Sequence, residues 1–122
     1  MRDNQLVDYS KKFAVEIFHL CNTIRENKKG NALVNQLLRC GTSIGTNIHE
    51  ANYASGRADF INKLHIALKE CYETEYWLEL FKNTDTISLS EYNQAILQCN
   101  KIRRLLSASI NTAKRNQALQ QE

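Results

Sequence analysis

The chain has 122 residues, 16 Lys plus Arg against 13 Asp plus Glu, 43% hydrophobic residues, four Gly and no Pro. That length buries one core, whereas two halves of about 60 residues would each be marginal without metals or disulfides, so residues 1–122 are expected to form a single domain. The scarcity of turn residues disfavours sandwiches, barrels and disordered linkers, and the lack of an apolar run of roughly 18 residues or of a signal-like start at Met1-Arg2-Asp3-Asn4-Gln5 points to a cytoplasmic protein with no membrane partner.

From Gln5 to Lys29, the apolar residues Leu6, Phe13, Ile17, Leu20 and Ile24 recur at helical spacing. Asn27-Lys28-Lys29-Gly30 ends this first segment, with Gly30 suited to a left-handed cap and Asn31 to capping the next helix. The second segment, Ala32 to about Ala54, aligns Leu37, Gly41, Ile44, Ile48 and Ala51, with Val34, Leu38, Gly45 and Asn52 beside them. Gly41 and Gly45 predict a close helix crossing or a local bend near Gly45, at roughly 1 kcal/mol of helix propensity each. After Ser55-Gly56 a third helix runs from about Arg57 to Lys82, turning Phe60, Leu64, Ala67, Cys71, Leu78 and Phe81 inward. Asn83 to Thr86 reads as a loop, and Ser88-Leu89-Ser90-Glu91 has the spacing of a capping box that opens a fourth helix. Tyr92, Ile96, Cys99, Leu106, Ile110 and Ala113 form its inner stripe, and the polar tail from Asn116 to Glu122 is expected to fray. Four such helices with short connections predict an all-α, antiparallel up-down-up-down four-helix bundle roughly 35 to 40 Å long.

Ile61, Leu68, Tyr72, Tyr76 and Trp77 fall outside the third helix's inner stripe and are expected to form an oligomer interface. The bland alternative is that the aromatic members lie over loops or the bundle's own edges. The charge is uneven: from Glu91 to Gln120, the cations Lys101, Arg103, Arg104, Lys114 and Arg115 face the single carboxylate of Glu91, a local +4 within a total of +3. Lys101, Arg104, Lys114 and Arg115, joined by Lys11, Lys12, Lys28 and Lys29, are the candidate nucleic-acid surface, against the reading of a solvated basic face. Asn47, Glu50, Glu73, Glu75 and Arg103 flank the apolar stripes and suggest a structural polar network, with Glu75 or Glu50 meeting Arg103.

Catalytic and metal chemistry has little support. Cys21, Cys40, Cys71 and Cys99 lie in apolar periodic segments without a C-x-x-C pair, which suits reduced core thiols. Glu16-Ile17-Phe18-His19 is a lone Glu-x-x-His where a di-iron bundle needs two. His49, Glu50, His65 and Cys40 match no common zinc framework. There is no phosphate-binding loop or nucleophile elbow, so neither an enzyme nor a bound metal or cofactor is expected.

Ser43, Ile44, Asn47, Ile48 and Glu50, followed by Asp59, Phe60, Leu64, Ala67 and Leu68 and then Glu73 and Glu75, resemble the motifs of the four-helix-bundle proteins encoded by intervening sequences of bacterial large-subunit ribosomal RNA genes. Gly45 stands where that family often has Pro, and Ala51 where it has Gly. The resemblance implies a homopentamer with a role in RNA or nucleic-acid interaction. A more remote resemblance is to the accessory protein of diversity-generating retroelements, which binds a reverse transcriptase and nucleic acid. Two functions follow as expectations: a noncatalytic scaffold that binds RNA or a ribonucleoprotein through repeated basic surfaces, or an adaptor that docks a protein partner such as a reverse transcriptase without touching nucleic acid.

Overall fold

The computed structural model describes residues 4–29 and 32–121. Four helices follow one another: α1 (Asn4–Glu26), α2 (Ala32–Ala51), α3 (Arg57–Asn83) and α4 (Leu89–Gln121). Helix α1 packs on α2 and α4, and α3 on the same two, while the diagonal pairs stay apart, so the helices stand at the corners of a square. The α1–α4 seam is the sparsest of the four. No helix among the described residues is long and apolar enough to cross a membrane.

The apolar stripes close on a single core. Phe13, Ile17 and Ile24 from α1, Leu37, Ile44 and Ile48 from α2, Leu64 and Leu78 from α3, and Ile102, Leu106 and Ile110 from α4 are all buried. Two buried polar side chains are satisfied within their own helices: the Ser10 hydroxyl donates to the Val7 carbonyl at 3.2 Å, and the Thr74 hydroxyl to that of Glu70 at 2.7 Å. Such internal bonding removes the cost of burying an unpaired hydroxyl.

The close crossing lies between α1 and α2 and is tightest at Gly41. A β-carbon there would stand 2.8 Å from Ile17 Cγ2, whereas one at Gly45 would meet the Ser10 carbonyl oxygen at 3.4 Å, an ordinary contact. Both glycines lie within one continuous helix.

The helix ends follow local chemistry. Helix α1 stops one turn earlier than its periodicity suggests, and the left-handed residue is Lys28 (φ 56°), with the Lys29 amide bonded to the Ile24 carbonyl at 3.2 Å in the manner of a Schellman cap. Gly30 and Asn31 lie outside the described residues. Helix α2 likewise stops at Ala51, and Asn52, Tyr53 and Ala54 turn on bonds to carbonyls three residues back. Helix α3 ends in a second such cap, with Asp85 left-handed (φ 57°) and the Thr86 amide on the Phe81 carbonyl at 2.8 Å. The capping box is present in both directions: the Ser88 amide donates to Glu91 Oε1 at 2.8 Å, and the Glu91 amide to Ser88 Oγ at 3.0 Å. Helix α4 then runs to Gln121 rather than fraying from Asn116, because Ile110 and Ala113 remain buried close to that end.

Gly41→Ala is expected to lower stability in urea unfolding by about 1–2 kcal/mol, since overpacking against buried Ile17 outweighs the gain in helix propensity. Gly45→Ala, which has room for its methyl, is expected to match or exceed the wild type. Ser88→Ala is expected to cost about 1 kcal/mol in the same assay through loss of the cap.

Candidate nucleic-acid interface

Helix α4 turns Cys99, Leu106 and Ile110 into the core, and at about 100° per residue this places Lys101, Arg104 and Arg115 on its outward side. Lys114 lies roughly a quarter turn away, on the flank shared with Arg103. All four of Lys101, Arg104, Lys114 and Arg115 are exposed. Lys101 Nζ sits 4.0 Å above the Tyr9 ring of α1, a contact worth about 0.5–1 kcal/mol at an exposed site. Among the described residues, none of the four forms an ion pair. The accompanying lysines do not join them in one patch. Lys28 and Lys29 belong to the α1–α2 turn, at the end of the bundle opposite Arg115, where Lys29 Nζ donates to the Asp85 carbonyl at 3.3 Å. Lys11 lines a groove between α1 and α2, and Lys12 is exposed on α1.

The polar residues expected to form one network divide into separate pairs along the helix seams. Arg103 Nε donates to Glu75 Oε1 at 3.1 Å, joining α4 to α3, and the guanidinium lies 5.6 Å from the Tyr72 ring centre. Glu73 instead turns to the α2 side, where it accepts from Arg39 Nη2 and from Trp77 Nε1 at 3.1 Å. Arg39 also bridges to Glu70 at 3.1 Å. Glu50 pairs with Lys63 at 3.0 Å and is not within reach of Arg103. Asn47 donates to the Ser43 carbonyl one turn back in its own helix at 2.8 Å. Arg39 and Lys63 were not singled out from sequence, although carboxylates at 70 and 73, one turn apart on α3, imply a cation on the facing helix. Tyr9 left no such signal, because its role depends on which helix lies beside α1.

The apolar residues outside the α3 stripe also divide. Ile61, at 8% exposure, is buried within the chain's own bundle, which corrects its placement at an oligomer interface. Its position on the α4-facing flank explains the burial, since α4 continues past it. Leu68 and Trp77 are partly buried against the core. Tyr72 and Tyr76 stand out, 53% and 62% exposed.

Among the described residues, no group of three or more His, Cys, Asp or Glu side chains is placed to hold a metal ion. Glu16 and His19 line an open groove of about 290 Å³ between α1 and α4 together with Glu91, and burial there raises the Glu16 carboxyl above its ordinary value. Cys40 is fully buried, whereas His49 is exposed and His65 half-buried. Burial pushes the Cys21 and Cys40 thiols up to about 11. Cys99 is shifted further in the same direction by its hydrogen bonding with Cys71 and by burial. All four cysteines are free and buried, and the raised values of Cys21, Cys40 and Cys99 leave those three little thiolate for nucleophilic or metal chemistry.

The sequence profile of the 23S rRNA-intervening sequence protein family matches residues 2–108. Lys101 and Arg104 lie inside that span, Lys114 and Arg115 beyond it. The chain is also similar to a protein of unknown function from the S23 ribosomal protein family of Bacteroides thetaiotaomicron VPI-5482, whose crystal structure aligns with a TM-score of 0.87 at 47% identity, covering 91% of this chain and 99% of that one. No curated protein matches the chain.

Burial pushes the Glu73 carboxyl up, but the hydrogen bonds from Arg39 and Trp77 and the Arg39 charge outweigh it and hold the group below its ordinary value of 4.5. A carboxyl depressed in the folded state stabilises the fold while ionised. That contribution is complete above the unfolded value and is lost as pH falls through the folded one. Melting temperatures measured from about pH 6 down to about pH 3 are therefore expected to fall more steeply for the wild type than for Glu73→Gln. With a water-soluble aromatic disulfide reagent, the native protein is expected to leave all four thiols unreacted over minutes and to release them on unfolding in guanidinium.

Proposed function

Because the chain belongs to the 23S rRNA-intervening sequence protein family, we propose that it is a noncatalytic helical scaffold that assembles with copies of itself and holds RNA, or a ribonucleoprotein, against repeated α4 surfaces. The observation that carries this reading is the contrast between its cations. Arg39, Lys63 and Arg103 are each matched by a carboxylate, whereas Arg104, Lys114 and Arg115 are exposed and have no carboxylate partner among the described residues. Phosphate is the partner chemistry that such a set suits, since each contact releases a condensed counterion. One subunit supplies too few contacts for firm binding. Repetition in an assembly, a pentamer in the reading from family motifs, adds them on one continuous ligand and raises the effective concentration of each after the first. A ridge without base-edge donors in a groove-entering helix favours binding of the backbone over reading of sequence.

Binding of a fluorescent single-stranded RNA of mixed sequence tests this. With about six phosphates engaged, affinity is expected to fall roughly 10²–10³-fold between 50 and 200 mM monovalent salt. Arg104→Glu combined with Lys114→Glu and Arg115→Glu is expected to abolish most of it without changing helicity. Salt-independent affinity, or full binding by that variant, would overturn the basic-surface mechanism. Nuclease-resistant capture of a protein partner together with absent RNA affinity would point instead to the adaptor.

A further inference from the structure

The end of the bundle that carries Arg115 has a hollow of its own. Helix α2 stops at Ala51 and α3 starts at Arg57, whereas α4 runs on to Gln121, so the last turns of α4 come beside the α2–α3 turn. Between them lies an open pocket of about 340 Å³ whose lining includes Asn52, Gly56, Arg57, Phe60, Ala113 and Gln120. That volume is at the lower end of small-ligand sites, roughly 300–1,000 Å³. It brings a cation, two amides and an aromatic ring to one space.

The charge of this lining is one-sided. Arg57 is half-buried and has no ion pair among the described residues, and among them no carboxylate lines the pocket. The carboxylates nearest in sequence are engaged: Asp59 accepts the Ser55 amide at 3.2 Å, and Glu50 pairs with Lys63 at 3.0 Å. Gly56, the N-cap of α3, offers no side-chain cap, so the positive end of that helix adds to the Arg57 charge. An unmatched, partly desolvated guanidinium suits an anion that accepts two of its N–H groups, and phosphate does so. The neutral part of the lining has its own preference. Phe60 packs partly buried against the core and gives the rest of its ring to the pocket, while the side-chain amides of Asn52 and Gln120 make no hydrogen bond among the described residues and each present a donor and an acceptor. A flat base with donors and acceptors on its edges matches the ring and the amides as its phosphate matches the arginine. Lys114 and Arg115 follow Ala113 directly in α4, so the pocket adjoins the basic surface.

We propose that this pocket takes one unstacked nucleotide of an RNA strand, its phosphate on Arg57, its base against Phe60 and the base edge on Asn52 and Gln120. This rests on the RNA reading above and adds to it a point at which a single base leaves the strand, while the flanking phosphates meet Lys114 and Arg115. The two modes of contact differ in kind. The α4 surface holds backbone charge, so its contribution adds from one phosphate to the next and weakens with salt. A base held by a ring and two amides depends instead on the identity of the base and resists salt better, because stacking and neutral hydrogen bonds displace no counterion.

Ligand-observed NMR titration of the whole protein with adenosine monophosphate, ribose phosphate and inorganic phosphate tests the pocket. The wild type is expected to bind the nucleotide at least about fivefold more tightly than ribose phosphate, through stacking of the base. Arg57→Gln is expected to weaken the nucleotide about tenfold. Phe60→Leu, which keeps an apolar side chain at the core's edge, is expected to bring the nucleotide down to the level of ribose phosphate and leave ribose phosphate unchanged, and circular dichroism confirms that each variant is helical. Arg104→Glu combined with Lys114→Glu and Arg115→Glu is expected to keep nucleotide affinity to within about threefold, since exposed charges are screened. A tetra-adenylate is expected to bind the wild type more tightly than the mononucleotide and to lose that gain in the triple variant. Inorganic phosphate bound as tightly as the nucleotide, no nucleotide binding at millimolar concentration, or an Arg57→Gln variant equal to the wild type would overturn the pocket. A tetra-adenylate no tighter than the mononucleotide overturns its assignment to RNA. Salt-dependent RNA affinity without nucleotide binding removes the pocket and leaves the α4 surface standing, whereas nucleotide binding without RNA affinity removes the α4 reading.

Discussion

At the crossing of α1 and α2 there is no space for a side chain at position 41, and the rest of the bundle is arranged around that fact. Ile17 presses against the bare backbone of Gly41 and is itself fully buried, so the two helices are held at a separation that one added methyl group would change. Helix α2 then packs across to α3, and α3 to α4, while α1 meets α4 along the sparsest seam. Helix α1 is therefore held chiefly from the α2 side. One turn further along, the same close approach produces the shallow groove over Gly45, so a packing constraint in the core reappears as a feature of the surface.

The electrostatic pattern follows from where each helix flank faces. Carboxylates on the two flanks of α3 meet arginines on its two neighbours, Glu73 and Glu70 with Arg39 of α2, Glu75 with Arg103 of α4. Partly exposed pairs of this kind contribute on the order of 0–1 kcal/mol each. Their consequence lies elsewhere. They neutralise cations at the seams and leave Arg104, Lys114 and Arg115 exposed on α4 without a carboxylate partner among the described residues. The bracing of Tyr72 by Arg103 ties this pattern to the apolar one, since the arginine that closes the α3–α4 seam also steadies a projecting ring.

Much of the architecture was legible in the residues alone. The periodic stripes, the Ser88–Glu91 capping box, the buried unpaired cysteines and the need for close approach at the Gly41–Gly45 pair all express local rules that act within a few residues. The errors fall where local rules compete or end. The left-handed cap expected at Gly30 falls outside the described residues, and a left-handed residue already stands at Lys28, where the hydrogen-bonding ladder of α1 runs out. Polarity from Asn116 onward suggested fraying, but buried Ile110 and Ala113 keep α4 anchored near its end. Ile61 looked superfluous to a stripe counted on α3 alone and is covered by α4.

What the sequence by itself determined is the set of four amphipathic helices and the chemistry each carries: reduced apolar thiols, a basic fourth helix, and more aromatic surface on the third helix than its own stripe uses. The tertiary structure alone decided which flank meets which. It placed Glu73 with Arg39, Glu50 with Lys63 and Tyr9 under Lys101, left Tyr72 and Tyr76 uncovered, and set them opposite a groove on the far side. Helical periodicity assigns a residue its angle about one axis, but contacts between helices depend on the rotation and depth of several axes at once, and these are set by how closely the backbones can approach.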